Sequence, residues 1–122
     1  MSNNDVRNNA FQGIDVQAGV NGLTIWTGNI SSNTTINNGH AAPDPANGNG
    51  IILWDVGTAG GLLQLNGSFT ENLSDQNAGY GIRTIIANPA STFLIGPFNG
   101  NLFGTQANGL GNTEHTDTIG KP

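Results

Sequence analysis

The apolar stretches in this chain are short, most alternate with polar residues, and glycine or asparagine punctuates them. Leu23-Thr-Ile-Trp-Thr27 sets Leu23 and Ile25 against Thr24 and Trp26, and Leu62 to Phe69 sets Leu63, Leu65 and Phe69 against Gln64, Asn66 and Ser68. A period of two is that of a half-buried strand. No window of about 11 residues carries apolar side chains at i, i+3 and i+4, so essentially no helix is expected.

The remaining strand signals follow the same rule. Ile14, Val16 and Val20 form a weak first strand, and Ile30 to Ile36 is a Ser/Thr/Asn-rich edge strand or hairpin arm. Residues 37–50 are the longest loop, since their Asn-Gly, Asp-Pro and glycine steps leave no room for a regular element. Ile51 to Val56 is apolar on nearly both faces, as a central strand would be. Tyr80 to Ala87 alternates again, Thr92 to Ile95 is a short strand, and Leu102-Phe103 is a last one. Short strands at such spacing imply an all-β fold, a single antiparallel β-sandwich or jelly roll of about seven or eight strands. The expected organisation is an N-terminal arm over 1–13, the sandwich over 14–104 and a polar C-terminal tail over 105–122, with no internal repeat.

Composition narrows the function. Charged residues make up 9% of the chain, against roughly a quarter in an average domain, and the 19 glycines favour turns. The net charge is −5 and the cations are Arg7, Arg83 and Lys121, too few to neutralise a run of phosphates, so no nucleic-acid partner is expected. With no cysteine there is neither a disulfide framework nor a thiolate metal site. The polar first residues hold no secretory h-region, and no apolar run approaches the roughly 18 residues of a membrane helix. Synthesis in a cytoplasm, with no membrane partner, is the expectation.

Signals for chemistry are thin. His40 and His115 are far apart in sequence, and no serine stands in a Gly-x-Ser-x-Gly elbow. Asp55, inside an apolar run, is read as facing solvent or capping the turn after it. Asp44 to Gly50 spaces oxygen ligands as a calcium loop does but lacks its acidic density and closing glutamate, so turn chemistry explains it; Glu114 to Asp117 is read as a solvated tail. The sequons at Asn29, Asn33, Asn66 and Asn72 are discounted in a chain this rich in Asn, Ser and Thr. Trp26 and Trp54 are read as core, with sugar stacking or an interface as the alternative. Neither an enzymatic activity nor a cofactor nor a metal is expected.

One segment, Asn88 to Phe98, carries a likeness. Asn49-Gly50-Ile51-Ile52-Leu53, Ile82 to Ala87, Pro89-Ala90-Ser91-Thr92, Leu94-Ile95-Gly96-Pro97-Phe98 and the turn Asn108-Gly109 together resemble small all-β bacteriophage virion proteins of the head-decoration, or cement, type. Ile95-Gly96-Pro97-Phe98 is the distinctive part, and Ser91 stands where such proteins have glycine. Read physically, Pro89 stiffens a turn, and Gly96-Pro97 ends the strand so that Phe98 folds back as a core plug. The resemblance implies a structural virion protein on the capsid surface, bound to the major capsid protein and to copies of itself, as a homotrimer. Val6, Arg7, Phe11, Trp26, Leu110 and Ile119 are the candidate contacts. The alternatives are a carbohydrate-binding, lectin-like sandwich and a self-assembling filament subunit that adds its arm to a neighbour's sheet.

Overall fold

The computed structural model describes residues 1–18, 22–55, 61–86, 92–103 and 108–117. Its repeating unit is a corner made of two residues, one left-handed and one asparagine. Asn3, Ser32, Glu71 and Gly100 have φ of 57, 53, 58 and 65°, and each is followed by an asparagine: Asn4, Asn33, Asn72 and Asn101. A second set, Asn8, Asn37 and Gln76 at 57, 59 and 55°, precedes Asn9, Asn38 and Asn77. A left-handed residue turns the chain sharply, and asparagine and glycine tolerate it best.

Between corners the chain is extended. The strands are β1 (Asp5–Arg7), β2 (Ile14–Ala18), β3 (Gly22–Ser31), β4 (Thr34–Ile36), β5 (Ile51–Asp55), β6 (Gly61–Thr70), β7 (Leu73–Asp75), β8 (Tyr80–Ile86), β9 (Thr92–Asn99) and β10 (Gly111–Asp117), with one 3-10 turn at Pro45–Asn47. They alternate among three sheets in a fixed cycle. Sheet I has the order β1-β4-β7, sheet II β10-β8-β5-β2 and sheet III β3-β6-β9. Every pairing is parallel. The chain therefore winds as a parallel β-helix: β1 to β9 give one strand to each sheet per coil, and β10 follows with only the isolated Leu73–Leu102 bridge at the sheet I position.

This overturns the antiparallel sandwich or jelly roll. The fold is all-β and most strand positions agree with the sequence, but the connections do not. Period-two alternation reports half-burial and leaves the partner open. The Asn/Gly steps that resemble hairpin turns are corners between sheets, and the return path that parallel strands require is the rest of the coil. The polar N-terminal arm and C-terminal tail also hold strands, β1 within 1–13 and β10 within 105–122, and β7 lies between the strands read from the sequence. The expected kink at Gly96-Pro97 is a bulge. β9 continues to Asn99, and its register against β6 shifts between Gly67/Ile95 and Phe69/Phe98, a place where proline's missing N–H is tolerated.

The interior is built in columns along the coil axis. Ile14, Ile51 and Ile82 stack through sheet II, with Val16 and Leu53 beside them. Ile30 and Phe69 stack through sheet III, and Phe69 meets Phe98 with ring centroids 5.9 Å apart. In sheet I the buried column is polar: Thr35 Oγ1 and Ser74 Oγ lie 2.9 Å apart, and Ser74 donates to Gly81 O.

The buried asparagines form ladders. Asn33 N–H and Nδ2 donate to Asn72 Oδ1 at 3.1 and 3.0 Å, and Asn72 N–H and Nδ2 donate to Asn101 Oδ1 at 3.1 and 2.9 Å. Asn38 repeats this on Asn77 and Asn77 on Asn108. The second amide hydrogen reaches back one coil, from Asn72 to Ile30 O and from Asn77 to Thr35 O. Only a side-chain amide one methylene from the backbone carries both the donors and the acceptor this requires. Replacing Asn77 by Ala takes the acceptor from Asn38 N–H and from the Asn38 amide, which keeps only Val6 O, and the side-chain donor from Thr35 O, so a loss of about 3 kcal/mol is expected in denaturant unfolding. Gln17→Ala, on an exposed strand position, is expected to stay within about 0.5 kcal/mol.

Successive ladder residues lie 29, 39 and 29 apart in the first ladder. The long coil carries residues 40–47 as an outpouching from one corner. Its neck is pinched at Gly39 and Gly48: a Cβ on Gly39 would lie 2.1 Å from Gly48 Cα, and Gly39 has φ of 83°. Excising 40–47 and joining Gly39 to Gly48 leaves a coil with the 31-residue spacing already found between Asn77 and Asn108. The shortened chain is expected to fold with a cooperative unfolding transition. An unfolded product would show that the outpouching holds the coil together.

Candidate functional site: the outer face of sheet II

Sheet II has the most strands, and alternation sends every second side chain outward. Ile51 and Leu53 belong to the core cluster, so alternation turns Ile52 and Trp54 of β5 to the other side, where Ile52 is nonetheless buried, at 2% exposure, and Trp54 is half-buried. The register aligns Asp15 with Ile52 and Ile52 with Arg83; Gln17 aligns with Trp54 and Trp54 with Ile85. Asp15 organises one edge of this face. Its Oδ1 accepts the Trp54 indole N–H at 3.0 Å and its Oδ2 accepts Gln17 Nε2 at 2.7 Å. At the other edge the Arg83 guanidinium lies 5.4 Å from the centre of the Tyr80 ring, a cation–π distance.

The arrangement offers an indole held at a fixed angle, a carboxylate with both oxygens occupied, an amide and a guanidinium on an aromatic ring. Among the described residues of this face, none is a nucleophile paired with a base. Among the described residues no group of three or more His, Cys, Asp or Glu could hold a metal ion. His40 sits exposed on the outpouching, its Nε2 2.8 Å from Gln76 O. In the Asp44 to Gly50 stretch, turn bonds run from Asn47 N to Asp44 O and from Gly48 N to Pro45 O. Asn49 is buried there and bonds Gln12 and Tyr80 N. Asp75 is a buried carboxylate whose Oδ1 has no hydrogen-bond partner.

Four of the six candidate contact residues have described side chains. Val6 is partly buried and packs on the core, and Arg7 pairs with Asp5 on the exposed side of β1. Phe11 and Leu110 are exposed, at 54% and 45%. Trp26 has its backbone in β3, but its side chain and the whole of Ile119 lie outside the described residues, as do Asp55's side chain and His115's. Of the two tryptophans read as core, Trp54 is half-buried on the outer face. Phe98, read as a core plug, is 44% exposed at the end of its column. Asn33 and Asn72 are sealed inside the ladder, which removes those two sequons as acceptor sites.

Sequence reasoning missed Asp15 as the partner of Trp54. The sole signal was that both stand on the polar side of alternating strands, and alternation does not say which strands are neighbours. Comparison with family models, with curated proteins and with solved structures finds no match to this chain.

Proposed function

We propose that this chain is a structural virion protein that works by binding, attaching to a capsid surface and stiffening the shell. The observation that carries this reading is the pair of asparagine ladders running coil after coil along the axis. Satisfied buried amide networks rigidify a chain and hold it to one shape, a property suited to a part that bears load. Low charge favours dense packing beside other subunits, and the Ile95-Gly96-Pro97-Phe98 likeness supplies the virion class. The major capsid protein and further copies of the chain are the partners this reading implies. Purified protein added to heads prepared without it is expected to co-sediment to saturation and to raise their resistance to heat. Phe11→Ala, at an exposed position off the ladders, is expected to weaken attachment without moving the unfolding midpoint. Heads that bind nothing would refute the reading.

One observation favours a second reading, saccharide binding: Trp54 stands on the outer face beside Asp15 and Gln17. An oriented aromatic edge flanked by hydrogen-bonding groups suits a sugar ring. On a glycan array this reading expects binding that Trp54→Ala abolishes, and a blank array removes it.

A further inference from the structure

The columns that build the core also define what each end of the coil stack presents. In each ladder the donors of one coil point to the Oδ1 of the next. At the N-terminal end this leaves Asn4 Oδ1 and Asn9 Oδ1 without donors among the described residues. At the C-terminal end Asn101 N–H and Asn108 N–H find no acceptor among the described residues, the side-chain amide of each being turned back to Phe69 O and Ser74 O. One end thus offers acceptors and the other donors, in the same two columns.

The apolar columns end in the same way. Met1, one residue before the Ser2–Ser31 bridge, falls in line with Ile30, Phe69 and Phe98. The two ends of this column are its exposed members, Met1 at 54% and Phe98 at 44%, while Ile30 and Phe69 are buried. In sheet I, Val6 begins the column of Thr35 and Ser74, and Phe103, next to the Leu73–Leu102 bridge, closes it. The free edges of β1 and β2 at one end and of β9 and β10 at the other carry unpaired backbone groups, a template for pairing, while the end of β3 is already bridged by residues 1–3.

We propose that the two ends fit each other and that this chain associates head to tail, the first coil of one copy stacking on the last coil of another. A second copy supplies what the C-terminal end lacks: Asn4 Oδ1 for Asn101 N–H, Asn9 Oδ1 for Asn108 N–H, Met1 over the Phe98 ring, where a thioether is a favourable neighbour, and Val6 over Phe103. Like ends do not fit, because acceptors would meet acceptors and the strands would run antiparallel. The contact is heterologous and does not close, so it builds linear oligomers. One feature opposes it. Each copy carries a net charge of −5, and like-charged copies repel. Salt screens that repulsion, so association strengthens with ionic strength. This inference rests on the coil geometry and is independent of the virion reading.

The test is sedimentation velocity of the full chain across concentration and salt, with one variant blocked at each end. Asn9→Lys blocks the head at a residue whose side chain makes no ladder bond, and Thr113→Lys blocks the tail at an exposed position in line with Ile82. The wild type is expected to grow in mass with concentration, more so at high salt. Each variant alone is expected to stay at 12.6 kDa, and their mixture to give a discrete species of twice that mass and nothing larger. A wild type that remains monomeric throughout overturns the proposal without recourse to the variants. So does association of either variant alone, or a mixture that stays monomeric while both variants melt as the wild type does.

Discussion

The fold depends on a buried amide stack. Asn33, Asn38, Asn72 and Asn77 sit at the corners of the coils with almost no exposed surface, where an unpaired amide would cost heavily. Each avoids this only if another asparagine stands directly above or below. That condition ties the coils to one register and explains how a chain with few large apolar residues holds together. The apolar cluster of Ile14, Ile30, Ile51, Leu53, Phe69 and Ile82 is small, and Thr35, Ser74 and Thr84 lie buried beside it. Burial of apolar surface drives collapse; the ladders decide the shape into which it collapses.

Strand positions were legible in the sequence because alternation is local. Leu23 to Thr27 and Tyr80 to Ile86, read from their alternation, and Ile51 to Asp55, read as an apolar run, all lie in strands. Pairing direction was not legible, because an Asn-Gly or Ser-Asn step serves equally as a hairpin turn or as a corner between sheets. A signal for the corners was nonetheless present. The pairs Asn4/Asn9, Asn33/Asn38 and Asn72/Asn77 repeat one internal spacing, and a β-branched, small or aliphatic residue fills the interval. The outpouching at 40–47 lengthens one coil and the two residues of each pair are easily lost among other asparagines, so the repeat is hidden from any search at a fixed period. The outer face of sheet II was half legible: Trp54 was visible as a residue of note, whereas its contact with Asp15 exists only once β2 and β5 are neighbours.

Rigidity and open ends come from the same source. Because hydrogen bonds run along the axis from coil to coil, the first and last coils are left with complementary halves of the same bond. A closed sandwich would have no such ends. The same bonds give the molecule a direction, with acceptors at one end and donors at the other.

Hydrogen exchange of the asparagine side-chain amides, followed by NMR, tests the central claim most directly. If the ladders hold the coils together, the amide protons of Asn33, Asn38, Asn72 and Asn77 exchange only through opening of the whole stack, slowed by a factor of about a thousand or more. The exposed Asn8 and Asn37 amides exchange near the solvent rate. Ladder amides that exchange as fast as those of Asn8 and Asn37, in a chain that is otherwise folded, would contradict the account.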